Sequence, residues 1–121
     1  MAPFDGIQVY AYDETERCNY QYVIVEVDET RADISRDALV KVLQAENVPA
    51  RRYFYFGAHQ MEPFPHARLL LPETEQLTQC VMSLLTGTAV SIQDIEKIGA
   101  IIEAAIAQRT EILEALKCFA V

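Results

Sequence analysis

The residues of this chain that could bind a ligand or do chemistry are concentrated between positions 51 and 68. This stretch contains both histidines and three arginines of a protein whose formal net charge is −8. These residues are Arg51, Arg52, His59, His66 and Arg68. Because arginine presents a planar fork of N–H donors to a carboxylate or a phosphate, the cluster predicts an anion-binding site. In the alternative interpretation, both histidines bond to backbone groups of a proline-rich loop.

Other reactive side chains give weaker signals. Two histidines seven residues apart in a loop, without a carboxylate at fixed spacing, do not predict a metal site. Cys18, Cys80 and Cys118 are too widely spaced for a metal or redox motif, so we expect them to be reduced. Cys80 falls in an apolar helical pattern and is predicted to be a small core residue. We find no nucleophile, base and orienting residue together, so no catalytic residue is predicted.

The composition favours one soluble domain. Of 121 residues, 51% are hydrophobic and 23% are charged, which suits a chain with a buried core. The pI near 4.6 argues against a nucleic-acid partner, because such binding depends on lysine and arginine. With no apolar run of about 18 residues and no basic start before an apolar core, we expect a cytoplasmic protein without a membrane partner.

The first elements precede the arginine cluster. Residues 20–28 are rich in β-branched and aromatic side chains and predict a strand. Ser35 is a good N-cap, and Ile34 and Leu39 are spaced to form a hydrophobic staple, so a helix is predicted over 36–46. The segment 51–56 predicts a second strand with aromatic residues on both faces. One of those faces is expected to be covered by an interface, for which the candidates are Tyr53, Phe54, Tyr55 and Phe56.

The remaining elements follow the cluster. Residues 57–72 are predicted to form an ordered loop, Thr74 to cap a helix over 74–82, and residues 82–85 to form a third strand. Ser91 and Asp94 have capping-box spacing and predict the start of a long helix over 92–117. A second short helix folded back after Gln108 is equally compatible. The interface candidates here are Ile112, Leu113 and Leu116.

These elements predict a single α+β domain over residues 1–121. Its small, mostly antiparallel three-stranded sheet is covered by helices mainly on one face, in the order β-α-β-α-β-α. Residues 1–18 form a lead-in segment, and residues 91–117 form the long C-terminal helix.

One motif resembles a known family. Residues 51–64, Arg-Arg-Tyr-Phe-Tyr-Phe-Gly-Ala-His-Gln-Met-Glu-Pro-Phe, are similar to R-x-Y-F-x-P-x-x-H-x-x-x-P-Y. This is the small-domain signature of the DegT/DnrJ/StrS sugar aminotransferases, which depend on pyridoxal phosphate. Segments 19–23, 35–39, 71–75 and 86–95 resemble the same domain in the same order. The chain departs from the signature at Phe56, where the family has proline, and at Phe64, where it often has tyrosine.

The resemblance implies a C-terminal small domain like that of fold-type I aminotransferases. In the family this region faces the active-site cleft, which makes His59 the best site candidate. The family's N-terminal domain holds the cofactor phosphate pocket and the Schiff-base lysine, and no segment of this chain resembles it. Lys41, Lys97 and Lys117 are predicted at exposed helical positions, where a Schiff-base lysine is not expected.

We therefore expect a fragment or subunit of a sugar aminotransferase that is inactive alone. It would supply the substrate-side wall to a separate pyridoxal-phosphate domain and meet the cofactor only through that partner. A sugar nucleotide or another anion is the expected ligand. The alternative is a self-associating binding module, such as a homodimer, that has lost transaminase activity. A small enzyme of unrelated chemistry built on the His59 loop ranks third.

Overall fold

The computed structural model describes residues 4–53, 55, 57–62 and 70–119. Within these residues it contains four strands and five helices. The strands are β1 (Ile7–Val9), β2 (Val23–Val27), β3 (Arg51–Arg52) and β4 (Val81–Leu84). The helices are α1 (Glu29–Ala32), α2 (Arg36–Ala45), α3 (Pro72–Cys80), α4 (Ile92–Ala107) and α5 (Arg109–Phe119). A short 3-10 turn spans Ala58–Gln60.

The four strands form one antiparallel sheet in the order β1-β2-β4-β3. The predicted α+β class and antiparallel sheet are confirmed, but the predicted strand count of three is wrong. β1 was missed because its three residues, Ile7–Val9, are too few to give a distinct strand pattern. The strand predicted over 51–56 ends at Arg52, because Tyr53 and Tyr55 lie in turns, and Phe54 and Phe56 lie outside the described residues.

The core lies between one face of the sheet and helices α2 and α4. Its central side chains are almost fully buried: Val25, Val27, Ile34, Leu39, Leu43, Met82 and Ile102. Val25 stands directly opposite Met82 across the β2–β4 pair, so the two side chains share the covered face. Their burial, at roughly 25 cal/mol per Å² of apolar surface, supplies the main driving force for folding.

Local chemistry sets the helix starts. The Ser35 hydroxyl accepts a hydrogen bond from the Ala38 N–H at 3.1 Å, as predicted for the N-cap of α2. Ser91 and Asp94 form the predicted capping box at the start of α4. α3 begins at Pro72 rather than after Thr74, because proline at the first helical position already has the helical φ and needs no amide partner.

The C-terminal segment is two helices, so the predicted alternative of a second helix after Gln108 is confirmed and the continuous helix over 92–117 is wrong. Gln108 separates α4 from α5 with φ −110° and ψ 25°, which lies outside the helical range. The Arg109 guanidinium donates to the Ile106 carbonyl at 3.0 Å and caps the end of α4. No helix in the described part of the chain is long and apolar enough to cross a membrane.

Candidate functional site

Arg51 and Arg52 lie at the free edge of the sheet and line a pocket beside α2. This cationic pocket has a volume of about 680 Å³. The residues that line it are Asp37, Val40, Lys41, Gln44, Arg51, Arg52, Tyr55 and Met61. Lys41 comes from α2 and the arginines from β3, so two elements bring three cations to one concave surface. Arg51 and Arg52, which the sequence predicts to belong to an anion-binding cluster, therefore lie in the wall of the same pocket.

Tyr55 connects this pocket to a buried arginine. The Arg52 guanidinium carbon lies 4.0 Å from the centre of the Tyr55 ring, and that of Arg36 lies 5.3 Å away. Both distances fall within the range of a cation–π interaction. Tyr55 thus holds Arg52 in position and lies against Arg36 at the base of α2.

Arg36 holds α2, α3 and β4 together. Its side chain is fully buried, and its Nη1 atom donates to the carbonyl oxygens of Thr78 and Val81, at 2.7 Å each. Its Nε atom donates to Asp37 at 2.7 Å. The Nη2 atom is buried without a hydrogen-bond partner among the described residues. A buried arginine of this kind is tolerated because most of its donors are satisfied.

His59 lies in the 3-10 turn and faces α3 rather than the cationic pocket. Its side chain is 3% exposed, and Nε2 is 3.2 Å from the Glu75 carboxylate. Because a carboxylate only accepts hydrogen bonds, Nε2 carries the proton, and in a neutral ring Nδ1 is then an acceptor. Nδ1 is buried without a partner among the described residues. Sequence reasoning missed the pairing, since sixteen residues separate His59 from Glu75.

A second polar cluster lies on the face of the sheet opposite the core. The Tyr10 hydroxyl donates to the Glu26 carboxylate, and the Cys80 thiol lies 4.0 Å from the other oxygen of Glu26. The hydrogen bond to Glu26 raises the pKa of Tyr10. Burial, followed by the charge of Glu26, raises the pKa of the Cys80 thiol. Cys80 is half-buried rather than a core residue, and all three cysteines are free.

An apolar patch surrounds a second pocket, between the sheet and the start of α4. The pocket has a volume of about 530 Å³, and its lining includes Val9, Tyr20, Val23, Leu84, Leu85, Val90, Ile95 and Ile98. Tyr20 is 56% exposed and Ile95 is 53% exposed. Exposed apolar side chains that line a common surface are typical of an interaction site. We call this surface the apolar patch.

The described residues do not fit a Schiff-base site for pyridoxal phosphate. Lys41, Lys97 and Lys117, the lysines of the chain, all lie exposed on helices. A Schiff-base lysine needs a desolvated position against the cofactor ring. Among the described residues no group of histidine, cysteine and acidic side chains could hold a metal ion.

The structure places some of the predicted site residues and leaves others outside its description. Arg51 and Arg52 share the cationic pocket, whereas His59 is not among its lining residues. His66, Arg68, Phe54 and Phe56 lie outside the described residues. Tyr53 packs edge-to-face on Tyr22, with ring centres 5.3 Å apart. Three further interface candidates are half-buried and packed against the core of the chain itself: Ile112, Leu113 and Leu116.

The fold is that of an aminotransferase fragment. The crystal structure of DesI in the presence of its TDP-sugar product matches with a TM-score of 0.82 and 37% identity. A DegT DnrJ EryC1 StrS aminotransferase from Brucella abortus matches with a TM-score of 0.66 and 25% identity. These alignments cover 93% and 82% of this chain but 29% and 26% of the relatives. The chain thus spans less than a third of either protein.

The family model agrees with the structural match. The model of the DegT/DnrJ/EryC1/StrS aminotransferase family matches residues 1–103. The comparison with curated proteins finds no match. The chain belongs to the DegT/DnrJ/EryC1/StrS aminotransferase family, as the motif around Arg51 and His59 indicated.

Proposed function

We propose that this chain forms the substrate-side wall of a sugar aminotransferase active site whose pyridoxal phosphate is held by a partner domain. The observation that carries the proposal is the position of the lysines. The chain belongs to an aminotransferase family, but Lys41, Lys97 and Lys117 are exposed on helices and cannot serve as a desolvated Schiff-base lysine. The chain therefore contributes shape and polar groups, while the partner contributes the cofactor.

The His59 loop is the proposed contact with the active site. Gly57 has φ +80°, and a Cβ atom there would lie 2.8 Å from His59 Nδ1, so the histidine ring packs directly on the glycine. Glu75 holds the opposite ring nitrogen. This arrangement fixes the His59 ring, and its Nδ1 atom has no hydrogen-bond partner among the described residues. In the family the matching histidine lies near the substrate and cofactor, so His59 is proposed to position that region of the wall.

The substrate is proposed to be a nucleotide-linked sugar. The support comes from the DesI structure, which was determined in the presence of a TDP-sugar product and matches this chain over 93% of its residues. The expected partner surface is the face of the sheet opposite the core. Tyr10 and Tyr22 on this face are 43% and 42% exposed, which leaves aromatic surface for a second domain.

A domain exchange tests the proposal. The segment of DesI that matches this chain is replaced by residues 1–121, and cofactor absorbance and transfer of the amino group to the TDP-sugar are measured. We expect the exchanged protein to retain both, and His59→Gln in the exchanged segment to reduce turnover about tenfold or more. Glu62→Gln, at an exposed position just after the same turn, is the control.

Two results would contradict the proposal. The first is an exchanged protein that folds and binds pyridoxal phosphate but transfers no amino group. The second is a stoichiometric lysine adduct after borohydride reduction of the isolated chain with pyridoxal phosphate, located by peptide mass spectrometry. The latter would assign cofactor chemistry to this chain itself.

The apolar patch favours a second candidate function, that of a self-associating binding module. Ile95→Lys places a charge on this surface, whereas Leu77→Lys places one on α3, outside the residues that line the pocket. Ile95 and Leu77 are about half exposed, at 53% and 45%, so the two changes are matched. If the chain self-associates through the patch, Ile95→Lys alone shifts sedimentation equilibrium towards monomer. A wild-type chain that is monomeric at high concentration excludes this candidate.

A further inference from the structure

The cationic pocket departs from the charge of the rest of the molecule. The chain carries a net charge of −8, yet Lys41, Arg51 and Arg52 converge on one concave surface. Within the described residues none of these three side chains takes part in an ion pair; the ion pairs there involve Arg31, Arg36, His59 and Arg109. Three unneutralised cations in one pocket repel each other, and an anion would relieve that repulsion.

The carboxylate in the pocket wall does not neutralise this charge. Asp37 accepts the Arg36 Nε hydrogen at 2.7 Å, so its charge is directed at a fully buried arginine. Arg36 also keeps one buried nitrogen without a described partner. The Tyr55 ring lies against both Arg36 and Arg52, so it joins this ion pair to the pocket wall. Lys41, Arg51 and Arg52 are therefore left without an ion-pair partner among the described residues.

The pocket is also preorganised. The Tyr55 ring restrains the Arg52 guanidinium at 4.0 Å, which lowers the entropy that Arg52 loses when it binds a ligand. Val40 and Met61 add an apolar wall beside the charges. Its volume of about 680 Å³ falls in the range of small-molecule sites.

We propose that Lys41, Arg51 and Arg52 bind the phosphoryl group of a small ligand, with Tyr55 and Met61 contacting its organic part. A phosphoryl dianion fits better than a single carboxylate, because three cations from two elements face it and each arginine can donate two parallel hydrogen bonds. This site does not depend on the proposed function, since it is complete within the chain and can be tested without a cofactor domain.

The test is an NMR titration of the 121-residue chain at low ionic strength with two probes, inorganic phosphate and ADP. We expect amide shifts confined to α2, β3 and the segment near Met61. Arg52→Gln should weaken binding of both probes about tenfold or more, since a hydrogen bond between charged groups is lost. Arg17→Gln removes one exposed arginine elsewhere and should change affinity less than twofold.

Lys41→Gln provides a second variant in case Arg52→Gln disturbs β3, and Lys97→Gln on α4 is its matched control. Tighter binding of ADP than of phosphate would support contact with the organic part, and equal binding would show that the phosphoryl group alone is bound. Absence of saturable shifts in the pocket overturns the proposal and leaves the aminotransferase wall intact. Equal losses in the pocket variants and their controls would also overturn it, because binding would then follow net charge alone.

Discussion

Gly57 and His59 are in close contact in the candidate site. Gly57 has φ +80°, and a Cβ atom there would meet His59 Cε1 at 2.7 Å. Gly87 also has a positive φ, of +129°, but a Cβ atom there would meet nothing within 4 Å. Substitutions at the two glycines therefore distinguish backbone strain, which affects both positions, from a steric clash, which affects Gly57 alone.

We expect Gly57→Ala to destabilise the chain by about 3 kcal/mol or more, because strain and displacement of His59 add. Gly87→Ala should cost about 1–2 kcal/mol, from strain alone. Urea unfolding followed by circular dichroism measures both. Equal losses would show that the loop yields to the extra methyl group and that His59 is not held by the contact.

Arg36 makes a second prediction at this scale. Arg36→Met keeps most of the side-chain volume but leaves the Thr78 and Val81 carbonyls without their donor. We expect a loss of about 2–4 kcal/mol in the free energy of unfolding, since buried acceptors lose their partner. Arg31→Met breaks an exposed pair with Asp5 and should cost less than about 1 kcal/mol. Similar losses in the two variants would contradict the structural role of Arg36.

The residue types of the site could be predicted, but their partners could not. Arg51 and Arg52 are adjacent in sequence, so their proximity follows directly. The contacts of Tyr55 with Arg36 and of His59 with Glu75 join separate elements and depend on how α2 and α3 pack. A pattern read along one strand or helix carries no information about such a distant partner.

At the scale of elements, the capping box of α4 links stability to pH. The backbone N–H and then the hydroxyl of Ser91 hydrogen-bond to Asp94 and lower the pKa of its carboxyl group below the ordinary value of 3.8. A carboxyl group whose pKa is lower in the folded state contributes stability above its unfolded pKa. That contribution is lost as the pH falls through the folded value.

Asp94→Asn should therefore reduce the loss of stability between about pH 5 and pH 2, relative to the unmodified chain. Glu96→Gln is the control, because Glu96 lies one turn into the same helix and is exposed. Asp37→Asn would not be a suitable control because it also affects Arg36. Urea midpoints at several pH values provide the comparison. If Asp94→Asn lost stability more steeply at acid pH than the unmodified chain, the lowered pKa of Asp94 would be contradicted.

The elements that the sequence predicts best are those determined by local chemistry. Ser35 and Ser91 cap helices within three residues of themselves, and both starts are correct. The sequence does not decide whether the helix is interrupted at Gln108, because the apolar spacing continues through Ile112 and Leu116 and fits one helix or two. β1 depends on pairing with β2. The two strands lie too far apart in the chain for a local sequence pattern to indicate this pairing.

At the scale of the molecule, α5 is part of the fold rather than a free extension. Leu113 is half-buried and packs against the core cluster. Leu113→Ala should cost about 1–2 kcal/mol, less than a fully buried leucine. Leu70→Ala is the control, since Leu70 is 84% exposed and should change little. If both changes are neutral in urea unfolding, α5 packs only in a larger assembly.

The strand order has a consequence for synthesis on the ribosome. β4 pairs with both β2 and β3, although it follows them in sequence. β1 and β2 can therefore pair early as the chain emerges, while β3 waits for a neighbour until residue 84 has left the exit tunnel. During that interval the nascent chain exposes an unpaired edge of β2, and unpaired strand edges promote aggregation of partly folded chains. The time needed to translate the segment between β2 and the end of β4 thus sets how long that edge stays exposed.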